Sequence, residues 1–298
     1  MKGTGIAVKD LVRVYRIGSM EVQALRGLSM NIKESEMVSV IGPSGSGKTT
    51  LLNIVGGLDN ATAGSVRVGD TEVTGLDTSQ LVEFRRKIVG HIFQTLNLIP
   101  TLTAAENIEL PMIARGMSRG ERTGRVKKLL EVVGLTERAN HKPDELSGGE
   151  QQCVAIAAAL ANDAPVLLAD EPTGELDTMN AKVVVDFLVK INKEFGKTIV
   201  MVTHDPSVAR AADRILRIED GTIAASLTPT QLLEPTVAMS YIDQLRTRLA
   251  DIEAQIEKLD KAFRAGKISG DEYVEQRQRL KQTKASLEDE LHRLGVVT

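Results

Sequence analysis

Nine residues, Gly42-Pro43-Ser44-Gly45-Ser46-Gly47-Lys48-Thr49-Thr50, constrain this chain more than any others. They follow the apolar run MVSVIG (37–42) and lead into TLLNIVGGL, so they read as a loop between a strand and a helix. The glycines let backbone N–H groups turn inward, and the helix behind them adds the positive end of its dipole. Phosphate oxygens are what such a loop holds. Lys48 is spaced to reach the β- and γ-phosphates of a nucleotide as a point charge, and Thr49 offers a hydroxyl to Mg2+.

The surrounding pattern predicts an α/β fold over residues 1–226. Short β-branched runs, VLLAD (166–170) and TIVMVTH (198–204) among them, alternate with helical patterns such as 121–135 and 180–196. Near-continuous apolar strands between helices indicate a mostly parallel sheet covered on both faces, with ligands bound beyond the strands' carboxyl ends. Asp170 ends one strand and brings a carboxylate toward the metal. The adjacent Glu171 has a short route to an attacking water, which it could orient or deprotonate.

Composition excludes several alternatives. A formal charge of −3 gives no general attraction to nucleic acid. The single cysteine, Cys153, rules out an internal disulfide and any cysteine-based zinc cluster, and a reducing, cytosolic compartment fits best. The opening MKGTGIAVKD lacks the apolar core of a secretion signal. No apolar run approaches the roughly 18 residues of a membrane span, so a membrane role would pass through a partner. VAIAAALA (154–161) reads as a buried helix.

From about residue 236 the pattern changes. Ile242, Leu245, Leu249, Ile252, Ile256, Leu259 and Phe263 recur at alternating steps of three and four, a heptad seam. AGKISGDEY breaks it, and Ser269 with Glu272 forms a capping box for a second helix. The second seam, Tyr273, Leu280, Leu287, Leu291 and Leu294, is weaker, with Gln276 and Thr283 in core-like slots. A helical hairpin is expected, each arm roughly 40 Å long. It either closes on itself or completes its weak seam with another chain, as an oligomerisation or docking element.

One further stretch carries a family resemblance. LSGGEQQ (146–152) is a second glycine turn opening a helix, without a lysine. With the cradle and the acidic strand end, it makes residues 6–226 resemble the nucleotide-binding subunit of ATP-binding-cassette (ABC) transporters. The resemblance implies a cassette domain over 1–235, with an antiparallel β edge beside the mostly parallel sheet and a helical signature subdomain over about 95–162, while the change of pattern sets the hairpin apart as a separate unit over 236–298. It implies ATP with Mg2+, and a homodimer in which Ser147, Gly148 and Gly149 of one chain cap the γ-phosphate held by its twin. Such a turn needs no lysine, because it does not hold a nucleotide alone.

Further roles follow from the same resemblance. Tyr15 stands where the family stacks an aromatic ring on adenine. Gln94 matches the glutamine that reaches metal and water, and the segment after it is where such subunits meet a membrane permease. His204 matches the γ-phosphate histidine, and Asp177 the loop that crosses the dimer interface. The wording is most similar to the macrolide-export and lipoprotein-release group, with the cell-division type nearby. Cys153 and Ala158 stand where that group commonly has arginine, and Glu175 where it commonly has asparagine. These departures leave the catalytic set intact and put ATPase rate and coupling strength in question. Residues 236–298 fall outside the resemblance.

The leading expectation is an ATPase subunit at the cytoplasmic face of a membrane, driving a separate permease. A mechanical signalling ATPase that bends a membrane partner is the alternative. A DNA- or ribosome-associated cassette is disfavoured, because the coiled coil follows the single cassette instead of interrupting it.

Overall fold

A computed structural model of the chain describes residues 2–18, 20–233, 235–264 and 270–293. It divides into two compact units, Met1–Pro229 and Thr230–Thr298. The first begins with strands β1 (Ile6–Ile17), β2 (Met20–Ile32) and β3 (Met37–Ile41), then helix α1 (Lys48–Val55). Next come β4 (Ala63–Val68), β5 (Thr71–Glu72), α2 (Thr78–Lys87) and β6 (Val89–Ile92). Three helices follow, α3 (Ala104–Ala114), α4 (Arg119–Val132) and α5 (Gly148–Leu160). The remainder is β7 (Val166–Asp170), α6 (Thr178–Phe195), β8 (Thr198–Val202), α7 (Pro206–Ala209), β9 (Arg214–Glu219) and β10 (Thr222–Leu227).

The main sheet has the order β10-β9-β3-β8-β7-β6, with only the β9–β10 pair antiparallel. A smaller antiparallel sheet runs β2-β1-β4-β5. The expected α/β cassette, with a mostly parallel sheet, an antiparallel edge and a group of helices, is what forms.

Strand periodicity explains why both faces of the main sheet are buried. Val38 and Val40 of β3, Val166 and Leu168 of β7, and Val200 and Val202 of β8 point to one side, against α1 and the antiparallel sheet. Met37, Leu167, Ala169, Ile199 and Met201, one step out of phase, point to the other side, against α3–α6. Such strands read as unbroken apolar runs because neither face meets water.

Helix starts follow local sequence. Asp77 with Gln80, Thr103 with Glu106, Ser118 with Glu121 and Ser147 with Glu150 each form a reciprocal capping box. The helix expected over 121–135 therefore starts earlier, behind Ser118. The one expected over 180–196 starts behind the cap Asp177 and stops at left-handed Gly196 (φ 61°).

The second unit consists of α8 (Pro235–Arg264) and α9 (Gly270–Arg293). Leu245, Ile252 and Leu259, seven residues apart, are buried with Leu287 and Leu291, and Leu249, Ile256 and Leu280 flank them. Lys284–Glu253 (2.7 Å) and Arg277–Asp260 (2.9 Å) tie the helices at their margins. Phe263, the last seam residue of α8, is 41% exposed and stacks on Tyr273, the first seam residue of α9, ring centroids 4.2 Å apart. Gln276 is exposed, and Thr283 donates back to the Arg279 carbonyl (3.1 Å), so these polar slots lie outside the core. Ser269 and Leu294, with the side chains of Ile242 and Glu272, lie outside the described residues.

Candidate functional site

Adjacent strands β3, β8, β7 and β6 deliver their C-terminal loops to one edge of the sheet. β3 leads into the cradle, β8 into His204, β7 into Asp170 and Glu171, and β6 into Gln94. Residues up to 162 positions apart in sequence are thus gathered by strand order alone.

The cradle glycines have separate causes. Gly42 (φ 155°) lies so close to β9 that a Cβ would sit 2.1 Å from the Ile218 carbonyl oxygen. Gly47 (φ 101°) is the left-handed N-cap of α1, and a Cβ there would meet the Ala24 oxygen at 2.5 Å. No side chain caps α1, so its first N–H groups remain directed at the loop. Lys48 is buried and closes the cradle, donating from Nζ to the carbonyls of Gly42 (2.7 Å) and Pro43 (2.9 Å). Pro43 accepts the Ser46 N–H (3.2 Å), which shapes the turn between exposed Ser44 and Gly45. A glycine loop with a buried ammonium fits a polyphosphate.

Thr49 Oγ1 donates to Asp170 Oδ1 at 3.3 Å, which brings two hard oxygen donors together at the cradle's mouth. Burial lifts the Asp170 carboxyl above its ordinary range and the neighbouring Glu171 charge lifts it further, while Thr49 and Lys48 oppose the change. Among the described residues, no cluster of three or more His, Cys, Asp or Glu could hold a metal by itself. That donor set fits Mg2+ shared with phosphate, which takes one or two protein ligands. Gln94 is exposed, its amide nitrogen 3.8 Å from where a Cβ on Gly174 would lie, beside Glu171.

The Glu171 carboxylate accepts from His204 Nδ1 at 2.9 Å and from the His204 backbone N–H at 3.4 Å. Its own N–H donates to the Val202 carbonyl (3.0 Å), and its backbone is left-handed (φ 48°). The two residues expected to be hydrolytic are therefore in contact.

A second group is built on α5 and α6. Ser147 caps α5, accepting the Glu150 N–H at 3.3 Å. Asp177 caps α6, accepting from the Asn180 N–H (2.9 Å) and side-chain amide (2.7 Å), bonds that hold its carboxyl below the usual range. Asn180, which sequence reasoning missed, also packs on Gly149: a Cβ there would lie 2.5 Å from Asn180 Oδ1. Gly148 faces Leu176. The signature turn and the Asp177 loop are thus one packed unit. The only signal in the sequence was the Asp-x-x-Asn cap spacing.

Cys153 lies in the core, its thiol pushed up to about 11 by burial and by Glu150. It packs as a small apolar side chain. Tyr15 is partly buried: its hydroxyl donates to Asp59 (2.6 Å), lies 3.4 Å from Thr50 Oγ1, and has the Arg13 guanidinium over its ring.

A glycine cradle closed by a buried lysine, beside two adjacent carboxylates on one edge of a parallel sheet, fits the class of nucleoside triphosphatases. Comparison with known proteins narrows it. The ABC transporter family model matches residues 25–174. The chain is 49% identical over 222 residues to an uncharacterised ABC transporter ATP-binding protein of Methanocaldococcus jannaschii, MJ0796, over 73% of this chain and 94% of that one. It is 43% identical over 243 residues to the macrolide export ATP-binding/permease protein MacB of Bradyrhizobium diazoefficiens, over 82% of this chain but 37% of the relative. The chain thus spans well under half the length of that macrolide exporter. A solved dimeric post-hydrolysis structure of the MJ0796 cassette, bound to ADP and Pi, superposes with a TM-score of 0.70 at 45% identity, over 75% of this chain and 98% of that one. This chain belongs to the ABC transporter family, as one of its ATP-binding ATPase cassettes. Among the described residues, no helix is long and apolar enough to cross a membrane.

Proposed function

We propose that this chain hydrolyses ATP as a homodimer and drives a separate membrane permease from the cytoplasmic face, exporting or extracting a substrate. The observation that carries the proposal is the Glu171–His204 contact (2.9 Å), one residue beyond the carboxylate that takes the Thr49 hydroxyl.

In this reading the 42–50 loop and Lys48 hold the triphosphate, and Tyr15 stacks on adenine. Thr49, Asp170 and Gln94 hold Mg2+, which when bound offsets charge on the phosphate oxygens. Glu171 takes a proton from the attacking water, whose oxygen bonds to the γ-phosphorus as the bond to ADP breaks. His204 orients that carboxylate and lies toward the γ-phosphate. Ser147, Gly148 and Gly149 of a second copy cap the same phosphate, and Asp177 follows them into the interface. ATP closes the pair, closure moves the permease, and phosphate release reopens it. MacB relatives carry an ATP-binding and a permease portion by name, which supports a membrane partner for this cassette.

Glu171→Gln is expected to bind ATP normally, lose roughly a hundredfold to ten-thousandfold in kcat, and accumulate an ATP-loaded dimer on gel filtration. Wild-type turnover in that variant would remove Glu171 as the base. Lys48→Ala should instead weaken binding itself. With the permease in vesicles, ATP-dependent movement of cargo tests the transport role, and hydrolysis without movement would favour mechanical signalling.

A further inference from the structure

We propose that Arg13 and Asp59 are positioning residues for the nucleotide's purine base, acting through Tyr15 as a pre-assembled stacking platform. The inference rests on the reading of Tyr15 as the base-stacking ring and goes beyond it to the residues that hold the ring in place.

Arg13 and Tyr15 are two steps apart on β1 and share a face. The guanidinium carbon lies 4.4 Å from the Tyr15 ring centroid, within cation–π range. One carboxylate ties both: Asp59 Oδ1 accepts from Arg13 Nη2 at 2.6 Å, and Asp59 Oδ2 accepts from the Tyr15 hydroxyl at 2.6 Å. The Arg13 and Asp59 side chains are only 21% and 20% exposed, so this pair is better shielded than an ordinary surface ion pair. Among the described residues Arg13 Nε is buried without a hydrogen-bond partner, and the Asp59 carboxylate and the Tyr15 ring are the contacts that orient the guanidinium.

The cluster is also registered to the cradle. Asp59 sits just beyond α1, its N–H donating to the Asn53 carbonyl (3.2 Å), and it accepts the Asn60 N–H (2.7 Å). The Tyr15 hydroxyl is 3.4 Å from Thr50 Oγ1 in the first turn of the same helix. The ring is therefore held relative to both ends of the helix whose N-terminus faces phosphate. Its distance from the cradle is set before any nucleotide arrives, which cuts the ordering cost of stacking. Tyr15 remains partly accessible, leaving ring surface for a base. A cation on one face draws ring density away from the other and eases contact with a second π system.

The test compares ATP hydrolysis by the purified chain with inhibition by inorganic tripolyphosphate, which has no base. Arg13→Ala and Asp59→Asn are each expected to raise the KM for ATP by about threefold to tenfold, with less than a twofold change in kcat. The inhibition constant of tripolyphosphate should stay the same, which also shows that the cradle remains folded. Tyr15→Phe, which keeps the stack and loses the tether to Asp59, should fall between wild type and Arg13→Ala. If Tyr15→Ala raises KM and Arg13→Ala and Asp59→Asn do not, the inference is overturned while the stacking assignment stands. An equal rise in KM and in the tripolyphosphate constant would place the effect at the cradle and also overturn it. No change for Tyr15→Ala would remove the stacking reading and this inference together.

Discussion

Glu171 holds a left-handed backbone (φ 48°) that a β-carbon tolerates poorly, and its neighbours show what compensates. Its N–H is bonded to β8 and its carboxylate to His204, so the strained turn is held from both ends. His91, on β6, supplies a separate test at this scale. Burial lowers its pKa to about 4, with the Arg85 charge acting in the same direction and the Gly56 carbonyl (3.3 Å) opposing. Its folded pKa lies below the unfolded value, so the unfolded chain binds the extra proton as pH falls below about 6.5. Stability from the neutral imidazole is present above that pH and is lost progressively down to about pH 4, by at most about 3 kcal/mol. Thermal melts from pH 7 to pH 4 should fall less steeply for His91→Gln than for wild type. Parallel curves would show that the imidazole takes up its proton as readily in the fold as in the unfolded chain. The cradle residues were legible from spacing, because phosphate binding there is a property of consecutive backbone N–H groups. The Arg13–Tyr15–Asp59 cluster was not, since its carboxylate comes from a turn 44 residues beyond the ring.

Elements carry the chemistry proposed for the interface. α5 and α6 each begin with a capping residue assigned a role in the dimer, Ser147 and Asp177, and Asn180 locks the two starts together. Gly149→Ala would drive a methyl group into the Asn180 amide. That amide cannot swing away without giving up its hydrogen bond to Asp177 Oδ2 (2.7 Å). The expected cost is about 1–3 kcal/mol of stability, with a weaker ATP-dependent dimer. Adding Asn180→Ala should recover stability by opening the space, but not the dimer, because the Asp177 loop then loses its side-chain tether and keeps only the backbone cap. Full recovery of both, measured by melting and gel filtration, would mean that Asn180 only fills volume. Helix starts were readable in the sequence because capping boxes are local. The packing of one start against the other depends on where strand β7 sets α5 and α6 down.

The whole molecule is two units with separate cores. Met1–Pro229 buries both faces of its main sheet, and Thr230–Thr298 buries Leu245, Ile252, Leu259, Leu287 and Leu291 within its own hairpin. Removing residues 230–298 is therefore expected to leave the ATPase rate within about twofold and the ATP-driven dimer intact, since each core closes without the other. Loss of dimerisation after that deletion, read by light scattering, would show that the hairpin joins chains. By itself the sequence determined the nucleotide cradle, the acidic strand end, the signature turn and the heptad seam. These are local patterns in which neighbouring residues supply one face or one loop. Only the tertiary structure decided that Glu171 meets His204, that Asn180 couples Gly149 to Asp177, that Asp59 clamps Arg13 and Tyr15, and that Phe263 stacks on Tyr273. Those contacts join residues whose proximity depends on strand order and helix packing, and no spacing along the chain encodes that distance.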